Sequence, residues 1–404
     1  MSKFPVLAGL LPIKGIRIAT ACAGIKKAER RDVVVFELAE GTTAAGVFTR
    51  NAFCAAPVIV ARKHLHQTVP RYLLVNTGNA NAGTGQPGMD AAVACCKAVA
   101  EATQCKVEQV LPFSTGVIGE PLPVNKISDA IPAALGKLDE NGWGDAAYGI
   151  MTTDTVAKGL SRQFELQGKT VTITGIAKGS GMIRPDMATM LAYIATDACL
   201  APELLHQALQ SAVDESFNRI TVDGDTSTND ACILMATGKS GAVIDAASSK
   251  DYQRFVEAVS ALCEELAIAM VRDGEGATKF ITIEVNGGHA EAECLQVAYT
   301  IAHSPLVKTA FFAGDPNWGR ILAAVGRAGV HDLDVSTIEV FLGDVCITRQ
   351  GGRAADYTEE QGKRVMSQTD IPIRIELHRG SASARVWTCD FSYDYVKINA
   401  EYRT

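Results

Sequence analysis

The chain has 404 residues, 47% of them hydrophobic and 21% charged, which supplies one large core or two ordinary ones and carries no disorder-type bias. Its formal net charge of −7 argues against a nucleic-acid binder, because phosphate recognition needs a clustered positive field, and the basic stretch from Lys26 to Arg31 is short and interrupted by Ala28 and Glu29. No run approaches the roughly 18 uncharged apolar residues of a spanning helix, so no membrane partner is expected.

The opening run, residues 4–13, is apolar, but Pro5, Pro12, Lys14 and Arg17 break it too early for a secretory leader, and a cytoplasmic location is expected. Alternating apolar residues predict strands at 32–38, 71–76 and 171–176, bounded by glycine-containing turns. Apolar positions recurring every three and four residues predict helices at 90–103, 202–217 and 252–271, the last stopped by Asp273-Gly274-Glu275-Gly276. The second half repeats the mixture. Strands are expected near 279–285, 306–312, 338–342 and 373–377, with helices near 294–303 and 318–327. The expectation is an α/β protein of two mixed lobes. The 11 cysteines are odd in number and mostly set in apolar runs, as in Ala94-Cys95-Cys96, so they read as reduced core residues. No Cys-x-x-Cys pair occurs, and no metal is expected.

The chemistry points to residues 178–191, KGSGMIRPDMATML. Gly179 and Gly181 flank Ser180 and free the backbone, Pro185 rules out a continuous helix, and the composition becomes strand-like from Thr189 onward. Thr189 therefore stands where a loop becomes a strand. A hydroxyl there suits attack on the preceding carbonyl, that of Ala188, with an N-to-O acyl shift and hydrolysis. Cleavage would leave Thr189 with a free amine of pKa about 7.7–8.0, able to take its own hydroxyl proton near neutral pH. Taken by itself, the segment reads first as a glycine-containing turn entering a buried strand.

Resemblance separates the two readings. KGSGMIRPDMATML resembles the autoprocessing signature of the glutamate N-acetyltransferase family, also called ornithine acetyltransferase. Gly15-Ile16-Arg17, the NTGNANA run at 76–82, STGVIG at 114–119, IMTTDT at 150–155, DGDTSTND at 223–230 and GDPNWGR at 314–320 match that family in order along nearly the whole chain. The resemblance implies a fold of the ornithine acetyltransferase type, with an N-terminal-nucleophile-like threonine at a loop-to-strand junction. It implies cleavage between Ala188 and Thr189 into an α chain, 1–188, and a β chain, 189–404, which stay together as α2β2. The implied reaction is ping-pong acetyl transfer from N2-acetylornithine to glutamate through an acetyl-Thr189 ester.

By the same resemblance, Thr115 and Gly116 form an oxyanion hole, and substrate is bound by Thr152, Lys178, Thr189, Glu275, Asn399 and Thr404. The chemistry fits these types. Lys178 can pair with a substrate carboxylate and Glu275 with a substrate amine. On residues alone, Lys178 and Glu275 would be solvated charges, Asn399 and Thr404 tail residues, and Ser114-Thr115-Gly116 a plain turn. The carboxylates of DGDTSTND lack the closing glutamate of a calcium loop and are read as a hydrogen-bonding loop, while Asp315 or Asn317 is read as a helix cap. No cofactor is implied. Acetyl-CoA stays open as a second donor, since no CoA-phosphate loop is visible and a weak exposed contact would leave no motif. Two rivals remain: a self-processing amidase or aminopeptidase with water as acceptor, and a non-enzymatic amino-acid-binding protein.

Overall fold

A computed structural model describes Leu7, residues 9–184 and residues 190–401. The chain divides into two compact units, one of residues 1–218 with 225–270 and the other of residues 219–224 with 271–404. Both mix helices and strands, as the α/β expectation requires.

The first unit runs β1 (Ile16–Ala21), β2 (Val33–Leu38), β3 (Thr43–Phe48), α1 (Ala56–Gln67), β4 (Tyr72–Asn79), α2 (Gly85–Thr103), β5 (Val110–Val117), α3 (Val124–Leu135) and α4 (Trp143–Gly149). It continues with β6 (Lys158–Leu166), β7 (Lys169–Lys178), β8 (Leu191–Thr196), β9 (Cys199–Leu200), α5 (Pro202–Glu215), β10 (Ala231–Ala236), β11 (Val243–Ile244) and α6 (Lys250–Arg272), whose last two residues fall in the second unit. One sheet has the order β1-β2-β4-β5 and another the order β3-β10-β8-β7-β6. Side chains on a strand alternate between faces, and the sequence of β2 uses both. Val34, Phe36 and Leu38 face a core shared with Leu191, Tyr193 and Ala195 of β8, while Val33 and Val35 pack with Cys96 and Val99 of α2 and Ile127 and Ile131 of α3. The sheets are thus stacked face to face. Phe36 and Phe113 close on Tyr193 at centroid distances of 4.9 and 5.3 Å. On the far face of the five-stranded sheet, a side chain at Gly175 of β7 would run into Leu262 of α6 at 2.8 Å. Small residues there let the helix lie against the sheet.

The second unit contains β12 (Phe280–Gly288), α7 (Glu291–Ala302), α8 (Pro305–Ala313), α9 (Trp318–Gly326), β13 (Glu339–Leu342), β14 (Val345–Arg349) and β15 (Gly352–Arg353). These are followed by α10 (Glu359–Met366), β16 (Asp370–Glu376), β17 (Ala382–Cys389) and α11 (Tyr393–Ala400). Its sheet has the order β15-β14-β13-β16-β12-β17, with β12 parallel to β16 and antiparallel to β17. Alternate residues Ile281, Ile283 and Val285 of β12 join Val297 and Ile301 of α7 and Ile321 and Val325 of α9 in one core.

The strand expected at 306–312 is instead helix α8. Leu306, Val307, Phe311 and Phe312 suggest a strand by composition, but the punctuation decides otherwise. Ser304 caps the helix by accepting the Val307 N–H, Pro305 opens it, and Gly314 closes it at φ 68°. Asn317 caps α9 by accepting the Arg320 N–H at 3.1 Å, which selects it over Asp315. The compact units and the expected α and β chains are different divisions of the polypeptide. β8 begins two residues after Thr189, yet it lies inside the first unit's five-stranded sheet.

Candidate active site

Strands β4 and β5 run parallel and end together, with Thr77 opposite Thr115 and Gly78 opposite Gly116. Gly116 has φ 138°, and a Cβ on it would stand 2.3 Å from the Gly78 carbonyl carbon and 2.5 Å from the Asn79 nitrogen. No side chain fits there, so glycine is the only residue that permits this approach. A buried polar network holds the strand ends. Ser114 Oγ donates to Asn76 Oδ1 at 2.6 Å, Asn76 Nδ2 to the Asn79 carbonyl at 2.9 Å, and Asn79 Nδ2 to the Pro121 carbonyl at 3.0 Å. From the 223–230 loop, Asn229 Nδ2 donates to the Ala80 and Ser114 carbonyls at 2.7 and 2.9 Å. The residue immediately before Thr115 is therefore anchored by a residue 115 positions away. A fixed backbone of this kind suits an oxyanion hole, whose donors must be in place before charge develops.

Lys178 ends β7 and is only 6% exposed, so it is not a solvated surface charge. Its Nζ donates to Thr152 Oγ1 at 3.3 Å. Both residues are organised by Asp154, which was not singled out from the sequence. Asp154 Oδ2 accepts the Thr152 N–H at 3.0 Å, and Oδ1 accepts the Gly179 N–H at 2.8 Å and Lys158 Nζ at 2.7 Å. The Asp154 and Lys158 side chains are both 0% exposed. Burial alone would raise the Asp154 carboxyl, but the Lys158 and Lys178 ammonium groups, helped by the Lys158 and Thr152 hydrogen bonds, hold it down to about 2. The IMTTDT run contained the clue, but a four-residue Asp-to-Lys spacing predicts contact only on a helix, and Lys158 opens a strand.

Asp230, at the end of the same loop as Asn229, is another buried carboxyl. Its Oδ1 accepts the Met190 N–H at 2.9 Å. Ala188 and Thr189 lie outside the described residues, as does Thr404.

In the second unit, Glu275 is also only 6% exposed, and its Oε2 accepts Asn399 Nδ2 at 2.9 Å. This contact depends on how α11 is docked. Ser392 caps α11 and donates to the Gly276 carbonyl at 2.6 Å. Gly276 has φ 68°, and a Cβ there would sit 2.5 Å from the Tyr395 nitrogen. Phe391 stacks on Tyr395 at 4.6 Å, and the buried Lys308 lies 4.6 Å over the other aromatic partner's ring, that of Phe391. Lys308 Nζ donates to Thr388 Oγ1 at 2.9 Å and to the Cys389 carbonyl, and burial pushes its pKa down. The structure thus brings Thr152 to Lys178 in one unit and Glu275 to Asn399 in the other. Among the described residues, no group of three or more His, Cys, Asp or Glu side chains is placed to hold a metal ion.

Residues 17–404 match the ArgJ family. The arginine biosynthesis bifunctional protein ArgJ of Pseudomonas fluorescens (strain Pf0-1) is 61% identical over 396 residues, covering 98% of both chains. Its counterpart in Methylococcus capsulatus (strain ATCC 33009 / NCIMB 11132 / Bath) is 58% identical over 395 residues, 98% of this chain and 97% of that protein. Among solved structures, arginine biosynthesis bifunctional protein ArgJ from Bacillus halodurans shares 40% identity at a TM-score of 0.48, covering 50% of this chain and 95% of that one.

Proposed function

Because this chain belongs to the ArgJ family of arginine biosynthesis, we propose that it transfers an acetyl group from N2-acetylornithine to glutamate, with Thr189 as the covalent nucleophile. The observation that carries the reading is the 61% identity with a bifunctional ArgJ protein over 98% of both chains. The strand-end geometry at Thr115 and Gly116 supports it, as do the paired polar groups at Lys178–Thr152 and Glu275–Asn399.

The Thr189 hydroxyl first attacks the Ala188 carbonyl. The C–N bond breaks, the Thr189 nitrogen takes the proton, and water hydrolyses the ester to leave an Ala188 carboxylate and a free Thr189 amine and hydroxyl. In the first half-reaction the Thr189 amine takes the hydroxyl proton as Oγ adds to the acetyl carbonyl. The Thr115 hydroxyl and the Gly116 N–H stabilise the oxyanion, a term worth about 10² to 10³ in turnover per donor. The acetyl C–N bond then breaks and the proton passes to the departing ornithine amine. In the second half-reaction the glutamate amine attacks the ester and gives its proton to the Thr189 amine. The C–Oγ bond breaks, Oγ recovers a proton, and N-acetylglutamate leaves. Lys178 pairs with the substrate carboxylate and Glu275 holds the amine, with Thr152, Asn399 and Thr404 completing the contacts.

The second activity acetylates glutamate from acetyl-CoA through the same ester. The processed chains remain together as α2β2 in the cytoplasm, and no resident cofactor takes part.

Intact-mass spectrometry of wild type beside Thr189→Ala tests the reading. Two wild-type fragments meeting at Ala188 and Thr189, an intact mutant, and glutamate-dependent ornithine release by wild type alone are expected. A single uncleaved mass for wild type would remove Thr189 as an N-terminal nucleophile, and acetate release without N-acetylglutamate would favour the amidase.

A further inference from the structure

Asp230 is 1% exposed, and its two carboxyl oxygens are used unequally. Oδ1 accepts the Met190 N–H at 2.9 Å, whereas Oδ2 is buried without a hydrogen-bond partner. Burial pushes the pKa of this carboxyl well above its ordinary value, and the Met190 and Ser227 hydrogen bonds and the Lys178 charge only partly oppose it. An ionised carboxylate with a bare buried oxygen is the costlier state, so the site favours the protonated acid. In that form it offers one acceptor, directed at Met190, and one O–H.

The Met190 backbone is gripped on both sides. Its N–H goes to Asp230 Oδ1, and its carbonyl accepts the Ala231 N–H at 3.1 Å. Asp230 is itself tied to β3's end, because its carbonyl accepts the Thr49 N–H at 3.0 Å. The peptide group that Asp230 holds joins Thr189 to Met190. A peptide group is planar, so fixing the Met190 N–H fixes the plane of the bond that joins it to the preceding residue. Once the bond to Ala188 is cut, this peptide is the only covalent tether Thr189 has.

We propose that Asp230 is a positioning residue for the nucleophile, anchoring the Thr189–Met190 peptide so that the Thr189 hydroxyl keeps its aim during processing and turnover. This rests on Thr189 being the nucleophile. Asp230 bonds to Met190, the residue that follows the nucleophile. It acts through the backbone, and a displacement of about 1 Å at a reacting group can cost 10²-fold in rate.

The experiment compares Asp230→Ala, Asp230→Leu and Asp230→Asn in the full chain, measuring processing by intact mass and then kcat and KM of the processed fraction. The Ala and Leu variants should process incompletely, and their kcat should fall about 100-fold with KM for N-acetylornithine within about threefold of wild type. Asparagine reproduces the acceptor and donor pair of a neutral carboxylic acid. It should restore kcat to within about fivefold, with a pH profile that superimposes on wild type. Wild-type kcat in the Ala or Leu variant overturns the inference, as does an Asn variant as slow as Ala or an effect confined to KM. Should Ala and Leu fail to fold by gel filtration, the Asn variant decides, since a lost limb in its pH profile refutes an uncharged anchor and a preserved profile supports it. Failure of the underlying reading looks different: wild type itself would remain uncleaved.

Discussion

Asp154→Asn should destabilise the first unit by about 3–5 kcal/mol, because it leaves the fully buried Lys158 ammonium without its counter-charge. The amide cannot replace the carboxylate. Oδ1 faces two donors, Lys158 Nζ and the Gly179 N–H, and Oδ2 faces the Thr152 N–H, so an NH2 in either position meets a donor. A loss of this size lowers the melting temperature of the unit by about 6–20 °C at pH 7. The wild-type pH dependence supplies a second test. Held at about 2 against an ordinary 3.8, the Asp154 carboxyl contributes roughly 2 kcal/mol. Because the folded pKa is the lower one, that stability is present above about pH 4 and lost as the pH falls towards 2. Calorimetric melts from pH 7 to 2 should therefore narrow the gap between wild type and mutant by roughly 2 kcal/mol at the acid end. Asp154→Asn with Lys158→Met should recover part of the loss, since the orphaned charge is gone. A mutant melting within 2 °C of wild type at pH 7, or a double mutant no better than the single, would refute this account of the pair.

Gly116→Ala should lower kcat at least 10²-fold, because its Cβ would force β4 and β5 apart at the Gly78 carbonyl carbon, 2.3 Å away; steady-state kinetics of processed enzyme checks it. Asn229→Leu orphans the Ala80 and Ser114 carbonyls and should cost about 1–3 kcal/mol for each buried group, measured by thermal denaturation, with a fall in kcat through Thr115. Gly276→Ala should push α11 off the Glu275 loop and raise KM for substrate, whereas Ser392→Ala, which removes the helix cap and the hydrogen bond to the Gly276 carbonyl, should cost about 1–3 kcal/mol. Proteolytic release of the C-terminal helix reports the first, and a thermal melt the second. Native thiol labelling should modify the exposed Cys22 and Cys199 first and spare Cys96, Cys232 and Cys263, whose pKa values burial raises.

Much of the fold was legible because it is written locally. Period-two apolar runs placed β2, β4, β7, β12 and β13, and period-3.6 runs placed α2, α5, α6, α7 and α9. α8 was misread because its aromatic and β-branched residues outweighed the Ser304-Pro305 start and the Gly314 stop, signals that lie outside the apolar run itself. Thr115, Gly116, Thr152, Lys178, Glu275 and Asn399 were named through their motifs, and the structure adds that Thr115, Lys178 and Glu275 are buried, with Lys178 bonded to Thr152 and Glu275 to Asn399.

By itself, the sequence determined the α/β class, those elements with a clear apolar period, Gly116 as a point of close backbone approach, and the family signature around Thr189. Tertiary structure alone decided that Asp154 and Lys158 join Thr152 to the Lys178 loop, that Asn229 anchors Ser114, that Asp230 holds Met190, and that α11 rests on Gly276. The physical reason is the range of the interactions. Propensity and periodicity act over a few residues, while these bonds close separations of 25, 115, 40 and 116 positions, and a polar residue is committed to a buried partner only when the strands carrying them have paired.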